Sequence, residues 1–160
     1  DCSCRGENGP FPIFSLNTPL IRYADVLLWK AEALIELDRY DEALPIINRI
    51  RERAKNSTSK LHNASIYNMG LYTSFDSKEQ ARAALRFERR LELGLEGHRF
   101  FDLVRWGIAK ETIDSYLAIE AVRKPYLVDA IFTKGKHEYL PIPNQQMILS
   151  GGSYTQNPGY

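Results

Sequence analysis

Charged and large apolar residues alternate through residues 88–107, where an amphipathic surface helix would keep the two kinds apart. In a helix, Glu88 would share one stripe with three apolar residues, Ala84, Leu91 and Leu95. Such a stripe faces a protein core, and a buried carboxylate is tolerated only when it is paired and hydrogen-bonded. The segment therefore predicts ion pairs inside the fold.

The charge pattern continues at intervals of three residues with Arg99, Asp102 and Arg105, which lie among further apolar residues. Buried guanidinium groups also need partners, so we expect Glu88 or Glu92 to pair with Arg99 or Arg105 between two packed helices. Removing one partner should then leave an uncompensated charge in the core.

Two amphipathic helices precede this segment and predict a helical hairpin. The first should begin near Thr18, an N-cap followed by Pro19, and end near Leu37, and the second should cover residues 40–54. The inner stripes are Leu20, Ala24, Leu27, Ala31 and Leu34, then Ala43, Ile46, Ile47 and Ile50. The length and small residues of this hairpin resemble one tetratricopeptide repeat.

A long polar segment, residues 56–76, separates the hairpin from the next helix. Its aromatic residues Tyr67, Tyr72 and Phe75 are the candidates for ligand contact in this chain, because long loops often carry function. The alternative is that these rings anchor the loop in its own domain, which is the commoner fate of large aromatic side chains and the interpretation we favour.

Three further helices are predicted, over residues 77–93, 98–106 and 111–121. Ser77 and Gln80 have the spacing of a capping box at the start of the first, and Gly107 is a natural stop after the second. Pro141 and Pro143 exclude a helix over residues 140–143, which predicts an extended strap whose Leu140 and Ile142 fill apolar gaps. The fold class is therefore mainly α, with long loops and an extended C-terminal strap.

Composition excludes several function classes. The 160 residues carry 21 basic and 20 acidic side chains, a net charge of +1, so no electrostatic footprint for a nucleic acid is present. No apolar run is long enough to span a bilayer. Cys2 and Cys4 are too close for an unstrained disulfide, and His62, His98 and His137 lack zinc-ligand spacing relative to them. No metal or cofactor is expected.

Paired carboxylates of the kind that glycosidases use are present at Glu88, Glu92 and Glu96. Residues four apart lie on one helix face and cannot face each other across a sugar cleft, and the flanking arginines should keep them ionised. Because no nucleophile, metalloprotease or phosphate-loop motif occurs either, we expect no enzyme activity.

The charged segment resembles the C-terminal signature of the SusD/RagB family, surface lipoproteins that capture nutrients beside outer-membrane transporters in Gram-negative bacteria. Residues 21–34 resemble the helix-opening motif of that family, and residues 47–54 resemble its next helix. The endings, residues 140–143 and 156–160, are similar too. These matches follow the family order from about residue 18 to residue 160.

The resemblance implies non-catalytic capture of a nutrient, most often an oligosaccharide, for delivery to a SusC-like TonB-dependent transporter at the cell outer membrane. Some relatives bind peptides instead. It also implies that the charged residues of the signature are structural, while ligand-contacting residues come mainly from other parts of the longer family proteins. These signature residues are Glu88, Arg89, Glu92, Glu96, Arg99, Asp102 and Arg105.

The resemblance further implies that residues 1–160 are the C-terminal part of a larger SusD-like domain, whose lipid anchor lies upstream. We expect a tetratricopeptide-like hairpin over residues 18–55, a loop over 56–76, a signature hairpin over 77–107, and a helix, loops and docked tail over 108–160. The alternative, from the hairpin alone, is a helical-repeat adaptor that binds another protein.

Overall fold

Helices supply the regular structure of residues 20–57 and 68–160, the parts of the chain that the computed structural model describes. They are α1 (Tyr23–Glu36), α2 (Tyr40–Lys55), α3 (Lys78–Glu92), α4 (His98–Arg105), α5 (Ala109–Glu120) and α6 (Asn144–Leu149), with a 3-10 turn at Pro125–Leu127. No strand occurs in these ranges, and the mainly α fold expected from the sequence is confirmed. The chain divides into two compact units, Asp1–Leu93 and Gly94–Tyr160.

Helices α1, α2 and α3 pack around one apolar core in the first unit. The core contains Leu28, Ala31, Leu34, Ile35, Ala43, Ile47, Ile50, Phe75, Ala81, Ala84 and Leu85. These residues recur at intervals of three and four along each helix, so each helix buries one stripe. Asp38 adopts a left-handed φ of 60° between α1 and α2, and the N–H of Arg39 donates to the carbonyl of Leu34 at 2.9 Å. This closure of α1 turns α2 back against it.

Helix α3 begins where its capping box predicts. The Ser77 hydroxyl accepts a hydrogen bond from the Gln80 N–H at 3.2 Å, and the Gln80 side chain accepts one from the Asp76 N–H at 2.6 Å. Two N–H groups that the helix cannot pair internally are thereby satisfied.

Helix α1 begins five residues later than the sequence suggested, so that part of the prediction is wrong. Thr18 lies outside the described residues, whereas residues 20–22 are not helical and Leu20 is exposed. Arg22 is the N-cap in an extended conformation, and its guanidinium binds both the side chain and the carbonyl of Glu92. This anchor to the end of α3 holds Arg22 outside the helix.

In the second unit, Leu103, Ala109 and Phe132 form a smaller core against Val104, Ile108 and Ile113. Gly107 ends α4 with a left-handed φ of 70°, and the N–H of Ile108 donates to the carbonyl of Leu103 at 3.0 Å. The predicted stop at Gly107 is therefore confirmed, because glycine adopts this conformation without strain.

The C-terminal tail is held by hydrogen bonds to the extended strap. The Gln156 amide pairs with both the N–H and the carbonyl of Ile142, at 2.8 and 2.9 Å, and the Tyr160 hydroxyl donates to the Tyr139 carbonyl. Residues 140–143 are not helical, as their prolines require, and Pro143 has a φ of −53° and a ψ of 134°. The expectation that Leu140 fills an apolar gap is wrong in this structure, because its side chain is 83% exposed. Helix α6, directly after the strap, was not predicted.

Candidate functional site

A fully buried ion pair joins α1 to α3. Arg89 donates from Nη1 to Oδ1 of Asp25 at 2.7 Å, and the two side chains are 2% and 1% exposed. Removed from water, each charge is tolerated because the other lies against it. Asp25 shares the buried stripe of α1 with Leu28 and Ala31, so the pair stands in the middle of helix packing.

Glu88 and Glu92 pair with arginines of α2 and of the start of α1. The prediction that Arg99 or Arg105 would be their partner is wrong. Arg51 donates to Oε2 of Glu88 at 2.7 Å. Arg22 and Arg53 both bind the carboxylate of Glu92, at 3.0 and 2.5 Å. Since α3 packs beside α1 and α2 in one core, its inward carboxylates meet arginines from those helices.

Burial also changes the titration of one of these carboxylates. Removal from water raises the pKa of the Glu88 carboxyl above its ordinary value of 4.5, and the hydrogen bond from Arg51 opposes that rise. Neither Glu88 nor Glu92 faces a second carboxylate across an open cleft, the arrangement that sugar hydrolysis requires.

The remaining signature residues lie in or beside α4. Arg105 donates to the buried Asp102 at 2.9 Å, three residues earlier on the same helix. The Arg105 side chain is 40% exposed and its guanidinium lies 4.9 Å from the centre of the Trp106 ring, so it is not the deeply buried cation that the sequence suggested. Arg99 is half-buried on α4, and Glu96 lies in the turn before it.

Two of the three aromatic loop candidates are attached to the core of the first unit. Phe75 is buried, and its ring centre lies 5.4 Å from that of Tyr72. The Asn48 amide accepts from the N–H of Tyr72 and donates to its carbonyl, and the Arg51 guanidinium lies over its ring at 4.8 Å. These contacts are those of anchoring side chains. Tyr67 lies outside the described residues.

A cleft of about 590 Å³ opens between the start of α1 and the C-terminal half of α2. Ala24, Leu27 and Ile50 line it with apolar surface, and the exposed ring of Tyr23 stands at its edge. The charged residues that line it are Arg22, Arg49 and Arg53. Its volume is within the usual range of small-molecule sites.

Sites of other kinds are not visible in the described parts of the chain. No group of three or more metal-ligating side chains occurs there, and no described helix has the length and apolarity needed to cross a bilayer. Cys2, Cys4 and His62 lie outside the described residues. A smaller hollow of about 230 Å³ in the second unit is lined by residues that include Lys110, Lys134 and Glu138.

Sequence reasoning missed two members of the charge network: the buried Asp25, which pairs with Arg89, and the half-buried Arg51, which pairs with Glu88. A signal for Asp25 was present, because it lies three residues before Leu28 on an apolar stripe, the same pattern that identified Glu88. The arginines of α2 carry no such signal, since their stems leave a helix surface and their charged ends can reach several neighbours.

The known proteins that this chain matches here are SusD-like. A model of the SusD family matches residues 15–160. SusD-like protein P2 of Formosa agariphila is 30% identical over 147 residues, which cover 91% of this chain and 26% of that protein. SusD-like protein P38 of the same organism is 38% identical over 97 residues, 61% of this chain and 18% of that protein.

Solved structures give the same result. A SusD homolog from Bacteroides thetaiotaomicron superposes with a TM-score of 0.70 at 35% identity, covering 88% of this chain and 26% of that one. A SusD superfamily protein from Bacteroides vulgatus gives 0.65 at 31% identity, covering 88% of this chain and 27% of that one. The mainly helical fold and these matches place the chain in the class of SusD-like proteins. The chain belongs to the SusD family, and it spans about a quarter of the length of these relatives.

Proposed function

We propose that the full-length protein captures an oligosaccharide at the outer surface of the bacterial outer membrane and passes it to a SusC-like TonB-dependent transporter. The family match over residues 15–160 is the observation that carries this proposal. Because the chain is about a quarter as long as its relatives, capture, delivery and cell-surface location are all proposed for the longer protein.

Within that protein, residues 1–160 serve as the C-terminal part of a larger SusD-like domain. The α1–α2 pair acts as a tetratricopeptide-like hairpin, scaffold and transporter-facing surface, within the span 18–55. The loop 56–76, the signature hairpin 77–107 and the tail 108–160 complete the segment, and a lipid anchor lies upstream. The tight closure of α1 at Asp38 supports the hairpin part of this proposal.

Binding proceeds without chemistry in this proposal. Glu88 and Glu92 are each bound by arginine and are almost fully buried, so neither carboxylate is placed to exchange a proton with a substrate. The seven signature residues act in folding, and Tyr72 and Phe75 anchor their loop.

Calorimetric titration of the full-length protein with defined oligosaccharides tests capture, and co-purification with the neighbouring transporter tests delivery. We expect saturable binding and, after long incubation, no shorter products on chromatography. Products that depend on the protein and disappear in Glu92→Gln would contradict the non-catalytic proposal. Binding of peptides in place of sugars would favour the peptide-binding relatives, and capture of a cytoplasmic protein alone would favour an adaptor.

A further inference from the structure

The cleft between α1 and α2 carries an excess of positive charge. Its three charged lining residues are arginines, whereas one carboxylate, Glu92, binds two of them, Arg22 and Arg53. The third, Arg49, has a cation–π contact with the Tyr23 ring at 5.6 Å and no carboxylate partner among the described residues. Arg49 therefore leaves at least one positive charge beside the opening that no carboxylate of the described residues matches.

The two buried carboxylates of the first unit, Asp25 and Glu88, do not offset this excess. Asp25 is neutralised by Arg89, and Glu88 by Arg51, each at 2.7 Å. The N-terminus of α1, where Arg22 gives no side-chain cap, adds its own positive potential at the same place. Charge and dipole together therefore favour an anionic group in the cleft.

The other walls of the cleft suit a ligand with an apolar face. Ala24, Leu27 and Ile50 supply aliphatic surface, and the Tyr23 ring is 65% exposed. A sugar ring offers a C–H face for such surface and hydroxyl groups for water and arginine. Peptides that bind by strand addition need a sheet edge, and the described residues of the first unit contain no strand.

We propose that this cleft binds an oligosaccharide that carries anionic groups, either uronate carboxylates or sulfate esters. The inference rests on the proposed capture function and narrows its ligand to acidic glycans. Arg49 supplies a charge that no carboxylate of the described residues matches, and its planar group can donate two parallel hydrogen bonds to a carboxylate or a sulfate. Tyr23 positions the sugar ring beside it.

The test titrates the full-length protein and its Arg49→Gln variant with three tetrasaccharides and one hexapeptide. The sugars are tetragalacturonate, a sulfated galactan fragment and maltotetraose, and the peptide is hexaglutamate. We expect at least one anionic sugar to bind, with affinity falling in 0.5 M salt, where charge interactions are screened, by roughly tenfold or more. Arg49→Gln should weaken it by about tenfold to a hundredfold, the usual value of a charge-assisted hydrogen bond. The two anionic probes distinguish carboxylate from sulfate recognition.

Arg39→Gln is the matched control, because it removes the same charge from the opposite end of α2, where Arg39 pairs with the exposed Glu42. It should bind as wild type does, and Tyr23→Leu should weaken sugar binding without changing helical content. Unchanged affinity in Arg49→Gln, or equal affinity for maltotetraose, would overturn the anionic ligand while leaving sugar capture standing. Binding of hexaglutamate alone, or of no probe, would overturn both.

Discussion

At the scale of single residues, the buried pair of Asp25 and Arg89 is the contact with the largest consequence. Both side chains are almost fully removed from water, so neither can lose its partner without leaving a charge in the core. Exposed pairs such as Arg39 with Glu42 differ, because water solvates each group when the other is absent.

Replacing Asp25 by Asn should lower the free energy of unfolding by about 3–5 kcal/mol, because the buried Arg89 loses the carboxylate that binds its guanidinium at 2.7 Å. Urea unfolding of the full-length protein measures it, with Glu42→Gln as a control that changes little. The double variant Asp25→Leu with Arg89→Met should recover much of the loss, since an apolar pair costs no desolvation. A double variant worse than either single change would show that the pair acts through specific hydrogen bonding instead.

Glu88 should make stability depend on pH in an identifiable way. Burial raises its folded pKa above the ordinary value of 4.5, so the folded protein holds this proton more tightly than the unfolded chain does. Its contribution is fully present below that ordinary value and is lost as the pH rises through the folded pKa. Relative to Glu88→Gln, wild type should therefore lose stability as the pH rises from about 4.5 toward neutrality.

The pH dependence of stability should have the opposite sign at Glu36, because the hydrogen bond from Arg82 lowers the pKa of its carboxyl. Its stabilising contribution is present above the ordinary value of 4.5 and is lost as the pH falls through the folded pKa. Urea titrations of wild type, Glu88→Gln and Glu36→Gln at several pH values separate the contributions of Glu88 and Glu36 to stability. A pH-independent difference between wild type and Glu88→Gln would argue against desolvation at that site.

At the scale of helices, the ends are set by a few residues with special backbone or hydrogen-bonding roles. Gly107 closes α4 in the left-handed region, and Ser77 with Gln80 opens α3. Neither effect depends on distant parts of the chain, which is why the sequence was sufficient to predict both.

Gly107→Ala should destabilise the protein by about 1–2 kcal/mol, because an L-residue at a φ of 70° is strained although open space surrounds the new methyl group. Gly70→Ala is the matched control, since its surroundings are equally open and no left-handed φ is required there. Thermal melting of both variants measures the difference. Equal melting temperatures would mean that the α4 terminus relaxes at no cost.

At the scale of the whole molecule, much apolar surface is exposed in the second unit. Val122, Tyr126, Leu140 and Ile148 each expose more than two thirds of their surface, at 85%, 78%, 83% and 72%. Soluble monomers seldom leave so many large apolar side chains in water without a partner surface.

Residues 1–160 expressed alone should therefore be poorly soluble or loosely packed, with helical circular dichroism but strong binding of a hydrophobic dye such as ANS. The full-length protein should bind less dye for each mole of chain. Amide exchange and sizing of the segment complete the measurement. A monomer with cooperative melting, protected amides and little dye binding would instead show that the segment folds as an independent domain.

Local patterns were enough to predict where most helices lie, whereas the family was identified by resemblance to its known motifs and confirmed by the family match. Helix α2 was expected over residues 40–54 and covers Tyr40–Lys55, because its apolar period and its flanking turn act within a few residues. The helix α6 was missed because six residues give too little periodicity to detect.

The amino-acid sequence alone predicted that Glu88 would be buried and would need a cation, and both are confirmed. The apolar stripe from which this was argued is wrong beyond Glu88, because Leu91 and Leu95 are exposed. Only the tertiary structure decided which cation binds each carboxylate. Arg51 is 37 residues from Glu88 in sequence, and Arg22 is 70 residues from Glu92. Many arginines satisfy the same charge requirement, and the packing of α3 against α1 and α2 selects among them. The cleft likewise forms only when α1 and α2 pack together. Its lining arginines come from separate parts of the chain, Arg22 before α1 and Arg49 and Arg53 on α2.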